Sequence, residues 1–249
     1  MRMTCNTCKK KGDCSFSFLG FNNKHISCNH YQITQNIVSR NFSFFGSEYL
    51  SRPRRMYYKN VIPRYGIDDH MEVENHEEYF NNMNVLDHNK MLKEIIFKLK
   101  KSLLNGHDLP DTIFINVEKF SLFDKDIIEN LSKLTKNMDK SDKTLVIEIT
   151  ERHEALDELM LQIIPYLSDR GLNLALDDYI LTESDHPIVK YFDFIKIEVS
   201  ELYKISNPSE RLYDLVEKNR KIIIEKIESK EQLNFALSLP IHYLQGFYI

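Results

Sequence analysis

Short apolar segments that each end on a polar residue recur along the chain, and they constrain its fold more than any other feature. Six of these segments end on Asn116, Glu148, Asp177, Lys196, Glu225 and Gln245, at intervals of 19 to 32 residues. Near-continuous apolar runs of this kind are typical of strands buried on both faces of a parallel sheet. Because helical patterns separate them, the chain is predicted to form repeated βα units with right-handed crossovers.

Amphipathic helices are predicted between these strands. Apolar residues recur at helical spacing from Leu92 to Leu103, with lysines on the other face, and Ser229 to Gln232 has the pattern of a capping box. A length of 249 residues fits one α/β barrel. The predicted fold is therefore α/β, a TIM-like (β/α)8 barrel, in which the polar strand ends converge on one rim. Several carboxylates and a lysine on such a rim are hard to explain as packing.

The pair Asp177-Asp178 ends the apolar run 174–176 and is the centre of the functional prediction. Adjacent carboxylates at a buried strand end are costly unless a positive charge compensates them. A divalent ion such as Mg²⁺ is the simplest compensation, since hard cations prefer oxygen ligands. An acidic turn that caps a helix is the alternative for an isolated pair. The recurrence of polar residues at other strand ends favours the metal.

Composition places the chain among ordinary globular proteins. Hydrophobic residues make up 42% and charged residues 28%, and the net charge is -4. This acidic balance makes binding to a nucleic acid polymer an unfavoured function. No apolar run is long enough for a membrane span, and the N-terminus lacks the apolar core of a signal peptide. A cytoplasmic location without membrane attachment is expected.

A Cys-rich segment, residues 1–30, is predicted to be separate from a barrel domain at residues 31–249. Its cysteines, which are all the cysteines of the chain, are Cys5, Cys8, Cys14 and Cys28. The Cys5-x-x-Cys8 spacing matches half of a zinc site, but the second half is irregular. Zinc binding, unliganded thiols, an iron–sulfur cluster and a redox-sensitive disulfide all remain open.

Seven ordered motifs carry a resemblance to a known family. They are Glu48-Tyr49-Leu50-Ser51-Arg52, Asn116, Glu148-Ile149-Thr150-Glu151, Asp177-Asp178-Tyr179, Ile195-Lys196-Ile197-Glu198, Glu225-Lys226-Ile227-Glu228 and Gln245-Gly246-Phe247. Over roughly residues 29–249 the chain resembles the EAL domain family, the bacterial cyclic di-GMP phosphodiesterases. The family motifs run Glu-Ala-Leu-x-Arg, Val-Asn, Glu-Leu-Thr-Glu, Asp-Asp-Phe, Leu-Lys-Ile-Asp, Glu-Gly-Val-Glu and Gln-Gly-Tyr. No single motif suffices, but their order makes the resemblance specific.

The resemblance implies a role for each matched residue. The metal ligands would be Glu48, Asn116, Glu148, Asp177 and Asp178, with Asp177 and Asp178 serving a second ion. The catalytic residues would be Lys196 and Glu225, which position the attacking water, together with Glu48 and Asp178. The substrate-binding residues would be Leu50, Arg52 and Gln245. Mg²⁺ or Mn²⁺ would be the cofactor, because paired metals acidify water and stabilise in-line displacement at phosphorus.

Two departures from the family pattern separate the functional hypotheses. The loop after Asp178 contains no glycine, whereas the family continues with Gly-x-Gly in a loop linked to dimerisation. The chain also stops soon after Gly246, where the family adds more structure, so we expect an open flank that a homodimer or a regulatory partner protein would cover. The first hypothesis is metal-dependent hydrolysis of cyclic di-GMP to the linear dinucleotide. The second is a weak or inactive EAL protein that acts as a cyclic di-GMP receptor or a protein-binding regulator.

Overall fold

A computed structural model of the chain describes residues 31–52, 84–107, 109–149, 157–181 and 187–249, without the side chains of residues 31–35, 49–52 and 157. Eight strands form the sheet: β1 (Tyr31–Ser39), β2 (Phe44–Arg52), β3 (Thr112–Val117), β4 (Thr144–Ile149), β5 (Asn173–Leu176), β6 (Phe194–Glu198), β7 (Lys221–Glu225) and β8 (Tyr243–Gln245). They follow one another around a closed barrel in sequence order.

The direction of β1 is the main irregularity of this barrel. β2 to β8 run parallel to one another, as predicted, but β1 runs antiparallel to both β2 and β8. The tight turn after Ser39 explains this, because the four residues between β1 and β2 leave no room for a crossover helix. Phe42 takes a φ of 60° in that turn. The predicted TIM-like barrel is confirmed, with an antiparallel first strand.

Helices cover the outside of the barrel and follow most of the strands. Their bounds are α1 (Val85–Leu104), α2 (Lys125–Asp139), α3 (Asp157–Asp169), α4 (Val199–Leu202), α5 (Pro208–Glu217) and α6 (Lys230–Leu237). The apolar face of α1 predicted from Leu92 onward is buried, and the predicted capping box of Ser229 and Gln232 opens α6. Among the described residues, no helix combines the length and the hydropathy that crossing a membrane requires.

An apolar layer fills the interior of the barrel below the site. Its buried members are Ile37, Phe114, Val146, Ala175, Phe194 and Ile223, and Phe45 and Tyr243 pack against them. The rings of Phe45 and Tyr243 stack with centroids 3.9 Å apart. This layer closes the barrel from one end, so the polar groups above it face a low-dielectric floor.

Strand alternation places the polar residues directly above this layer. Side chains two positions apart on a strand point to the same face. Adding two to each apolar position from Phe114 to Tyr243 gives Asn116, Glu148, Asp177, Lys196, Glu225 and Gln245. The six strand-end residues therefore lie on the interior face at the carboxyl ends of β3 to β8, where barrel enzymes hold their active sites.

A β-bulge brings Glu48 of β2 into the same layer. The pairing of β1 with β2 slips at Ile37, so that Phe45 is an extra residue on β2. Phe45 contacts the apolar floor, and Glu48 contacts the polar layer, although the two are three residues apart. The bulge permits this, because an added residue shifts the alternation by one position.

Candidate active site

Lys196 lies at the centre of the polar layer and faces four carboxylates. Its side chain is almost fully buried. The Nζ atom lies 2.6 Å from Glu225 Oε2, and 3.3 Å from both Glu48 Oε2 and Asp177 Oδ1. It also forms an ion pair with Glu148. The lysine on β6 thus forms ion pairs with carboxylates from β2, β4, β7 and the residue after β5.

Glu48 is held in place by amide donors on both of its oxygens. Asn116 donates Nδ2 to Oε1 at 2.7 Å, and Gln245 donates Nε2 to Oε2 at 2.6 Å. Burial raises the pKa of Glu48, but the charge of Lys196 and these hydrogen bonds outweigh burial, and the pKa lies below its usual value. Glu48 is therefore a fixed anion, positioned by β3 and β8.

Glu148, Asp177 and Glu225 form a group that we call the carboxylate cluster. One oxygen from each residue lies within 4.8 Å of the others. Glu148 Oε2 is buried and accepts no hydrogen bond within the described part of the chain. Buried acceptors are almost always satisfied, so the donor set of this cluster fits a cation that would contact this oxygen.

The charge balance of the site also favours a bound cation. Four carboxylates surround Lys196, and one ammonium leaves a net negative charge if all four are ionised. Burial raises the pKa of Glu148 far above its usual value, with the charge of Glu48 adding to the effect. Burial likewise raises the pKa of Asp177, and that of Glu225 to about 8, although Lys196 opposes both shifts. A divalent cation fits this oxygen-rich site, because it would favour the ionised forms.

Lys196 is protonated in this site. Burial lowers the pKa of this lysine, but the charges of Asp177, Glu148, Glu225 and Glu48 outweigh burial and hold the pKa well above its usual value. The residue therefore remains an ammonium at neutral pH. It can donate hydrogen bonds to developing negative charge, but it does not act as a base.

A second, more exposed group of charges lies on the rim beside the cluster. Lys226 Nζ lies 3.0 Å from Glu198 Oε2 and 3.2 Å from Asp178 Oδ1. We call these two ion pairs the Lys226 bridge. Asp178 and Lys226 both have positive φ, 46° and 56°. Asp178 therefore pairs with a lysine on the rim and is not part of the carboxylate cluster.

Several predicted residues lie outside the described part of the chain. The side chains of Leu50 and Arg52 are not described, although the β2 backbone that carries them is. Cys5, Cys8, Cys14 and Cys28 and most of the loop that lacks glycine, residues 182–186, fall in the ranges that the structure does not describe. Their predicted roles therefore remain predictions. All other predicted site residues lie within the polar layer or, for Asp178, on its rim.

Sequence reasoning missed two features of the site. It gave Lys226 no function, although a lysine that directly follows the strand end Glu225 is a signal that could have been used. It assigned Glu225 to the attacking water and not to the metal ligands, and this role stays a prediction; the structure adds that an oxygen of Glu225 lies in the carboxylate cluster. The contact of Glu225 with Asp177 depends on strands that are distant in sequence, so spacing alone does not reveal it.

The fold and the site define a TIM-like barrel protein with an acidic site at the carboxyl ends of its strands. Within that class the chain belongs to the EAL domain family, whose model, described as the EAL domain, matches residues 77–249. The matched range contains β3 to β8. β1 and β2, with Glu48, precede it in the sequence but complete the same barrel.

Two curated relatives from Escherichia coli are similar in sequence. The probable cyclic di-GMP phosphodiesterase PdeG is 29% identical over 175 residues, which are 62% of this chain and 34% of the relative. The cyclic di-GMP phosphodiesterase PdeL is 30% identical over 157 residues, which are 57% of this chain and 42% of the relative. The chain thus spans less than half the length of either relative.

A solved structure supports the fold. The YkuI protein of Bacillus subtilis, which has an EAL domain and was solved in complex with substrate cyclic di-GMP and calcium, matches with a TM-score of 0.60 and 22% identity. The match covers 88% of this chain and 54% of that chain. At this identity the likeness concerns the arrangement of the barrel.

Proposed function

We propose that this chain hydrolyses cyclic di-GMP to the linear dinucleotide in a reaction that depends on a divalent metal. The observation that carries the proposal is the buried group of four carboxylates around Lys196 at the carboxyl ends of the barrel strands. A protein that only docks partners has no need to bury carboxylates at this cost. Membership of the EAL domain family and the names of PdeG and PdeL support the choice of substrate.

The carboxylate cluster would hold the metal. Glu148, Asp177 and Glu225 each offer an oxygen, and Glu48 and Asn116 lie next to them with fixed orientations. Mg²⁺ or Mn²⁺ suits such oxygen donors, and the calcium in the YkuI complex is consistent with a divalent ion in a related barrel. When bound, the ion would acidify water and stabilise charge on phosphate oxygens.

The residues of the chain supply the remaining chemistry. Lys196 keeps its proton and donates hydrogen bonds toward charge that develops on the phosphate. Glu225, which contacts Lys196 at 2.6 Å, is placed to orient a water molecule and accept its proton as the water attacks phosphorus. One P–O ester bond of the ring breaks in the same displacement, and the released sugar oxygen takes up a proton from solvent. Asn116 and Gln245 keep Glu48 from rotating away. Arg52 and Leu50 are proposed to contact the substrate.

A receptor that binds cyclic di-GMP without cleaving it is the second candidate. The Lys226 bridge favours it, because Asp178, a predicted metal ligand, already pairs with an ammonium. The loop after Asp178, which lacks glycine, is consistent with this alternative.

The test is to incubate the full chain with cyclic di-GMP and either Mg²⁺ or Mn²⁺ and to follow the linear product by chromatography. We expect hydrolysis that stops with EDTA, and we expect Asp177→Asn to lose both Mn²⁺ affinity and turnover. Asp214→Asn, at a half-buried position of α5 where the carboxylate pairs with Arg211, is the control and should retain the activity of wild type. Binding of cyclic di-GMP without cleavage under either metal would contradict the enzyme and leave the receptor.

A further inference from the structure

Lys226 forms two ion pairs on the rim of the site and has no role in the proposed reaction. It directly follows Glu225 of β7 and reaches across the ends of two other strands. Its Nζ atom contacts Glu198, the last residue of β6, at 3.0 Å, and Asp178, two residues after β5, at 3.2 Å. The lysine therefore lies beside the carboxylate cluster, not inside it.

The backbone at this position carries a cost that glycine would avoid. Lys226 has a φ of 56° and Asp178 a φ of 46°, so both partners of one ion pair lie in the left-handed region. Side chains with a Cβ are disfavoured there, whereas glycine is not. Strained backbone persists where the surrounding contacts determine it, and such residues cluster at functional sites.

The electrostatic setting of Lys226 favours a permanent positive charge. Oxygens of two carboxylates, from Glu198 and Asp178, lie 3.0 and 3.2 Å from its Nζ atom and stabilise the ammonium. A cation of this kind competes with a metal ion in two ways. It occupies an oxygen of Asp178, and it repels a second positive charge brought to the same place.

We propose that Lys226 is a positioning residue that takes the place of a second metal ion at Asp178 and confines the divalent ion to the carboxylate cluster. This inference rests on the proposed metal site of Glu148, Asp177 and Glu225, and it concerns how many ions that site admits. The lysine ammonium supplies one fixed charge where a second ion would supply two. The chain would therefore hold one tightly bound divalent ion.

The test is a titration of the metal-free full chain with Mn²⁺, in which electron paramagnetic resonance counts the free ion. Three variants separate charge from backbone. Lys226→Met removes the charge and keeps the Cβ, Lys226→Gly removes both, and Lys226→Arg keeps the charge. Lys133→Met removes an exposed lysine of α2 that pairs with Glu129 at 3.8 Å, and it serves as the control.

We expect one tight Mn²⁺ site in wild type, in Lys226→Arg and in Lys133→Met. Lys226→Met and Lys226→Gly should both bind a second ion at least roughly fivefold more tightly than wild type, as expected for the loss of one partly exposed charge contact. Two equally tight sites in wild type would overturn the inference, as would variants that bind like wild type. A change in Lys226→Gly alone would also overturn it, because the backbone would then be the cause.

The result also separates this inference from the proposed function. One Mn²⁺ in wild type and in every variant would refute the role of Lys226 and leave the metal site of the carboxylate cluster intact. No Mn²⁺ bound by wild type would refute both.

Discussion

At the scale of single residues, the charge of Lys196 holds the site together. Buried carboxylates that come close to one another are tolerated when a cation compensates them, and Lys196 contacts four of them. A neutral side chain of similar length keeps the packing and removes the compensation. The variant Lys196→Met therefore isolates the charge.

Lys196→Met should destabilise the metal-free protein by about 3 kcal/mol, because carboxylates that lose a buried partner are costly. Urea denaturation in EDTA at neutral pH measures the change. The exposed Lys133→Met should change stability by less than about 0.5 kcal/mol. Equal stability of Lys196→Met and wild type would mean that the carboxylates need no counter-charge.

The same variant tests the catalytic role. Lys196→Met should retain Mn²⁺ binding, because the metal oxygens remain, but its turnover of cyclic di-GMP should fall roughly 10²- to 10³-fold, as when an oxyanion donor is removed. Isothermal titration with Mn²⁺ and an assay of the linear product give the two readouts. Loss of Mn²⁺ binding together with turnover would assign Lys196 to holding the site and not to the chemical step.

At the scale of elements, the position of β8 depends on Gly246, the residue that follows it and has no side chain. A Cβ on Gly246 would lie 2.2 Å from the carbonyl oxygen of Ile227, in the segment after β7. That contact is with backbone and cannot be relieved by rotating a side chain. Gly246 thus allows the residue before it, Gln245, to reach Glu48.

Gly246→Ala should therefore lower stability by about 3 kcal/mol, at the upper end of typical overpacking costs, and should also reduce hydrolysis by displacing Gln245. Thermal unfolding and the product assay measure the two effects. Phe247→Ala is the control, because Phe247 is 78% exposed. A variant as stable as wild type would show that the segment around Ile227 can move aside.

Sequence predicted the elements well where local patterns decide them. The apolar runs before Glu148 and Asp177 formed strands, and the helical spacing from Leu92 formed α1. The antiparallel direction of β1 was missed, because Phe42 adopts positive φ in a turn that contains no glycine. The bulge at Phe45 and the bridge of Lys226 were missed as well, since both depend on partners that only barrel closure brings together.

At the scale of the whole molecule, closure of the barrel joins the two ends of the described chain. β1 pairs with both β2 and β8, and Gln245 donates a hydrogen bond to Glu48, 197 residues away. The segment matched by the family model, residues 77–249, lacks β1 and β2. The proposed domain at residues 31–249 contains them.

A chain of residues 31–249 should therefore unfold cooperatively, whereas residues 77–249 should not form a rigid barrel. Without β1 and β2, the edges of β3 and β8 are unpaired, and the aromatic floor loses Phe45. Near-ultraviolet circular dichroism and urea denaturation distinguish the two chains. A cooperative transition of residues 77–249 would show that the barrel does not need its first two strands.

The stability of the metal-free molecule should depend on the proton held by Glu225. Burial raises the pKa of this carboxyl from 4.5 to about 8, with Lys196 opposing the shift. Below pH 4.5 the folded and unfolded chains both carry the proton. Between pH 4.5 and 8 the unfolded chain releases it and the folded chain keeps it, so each rise in pH favours unfolding. The raised pKa values of Glu148 and Asp177 act in the same direction.

A comparison with Glu225→Gln isolates this effect. His242, whose pKa is lowered by burial and by the charge of Lys221, adds an opposite slope near pH 6 in both proteins and cancels in the difference. From pH 5 to 8 in EDTA, wild type should lose stability relative to Glu225→Gln by at most about 1.4 kcal/mol per pH unit. Urea denaturation at four pH values measures the slope, and Mn²⁺ should flatten it because a bound cation favours the carboxylate. If the stability of wild type instead rises relative to that of Glu225→Gln as the pH rises, the site holds Glu225 ionised without a metal.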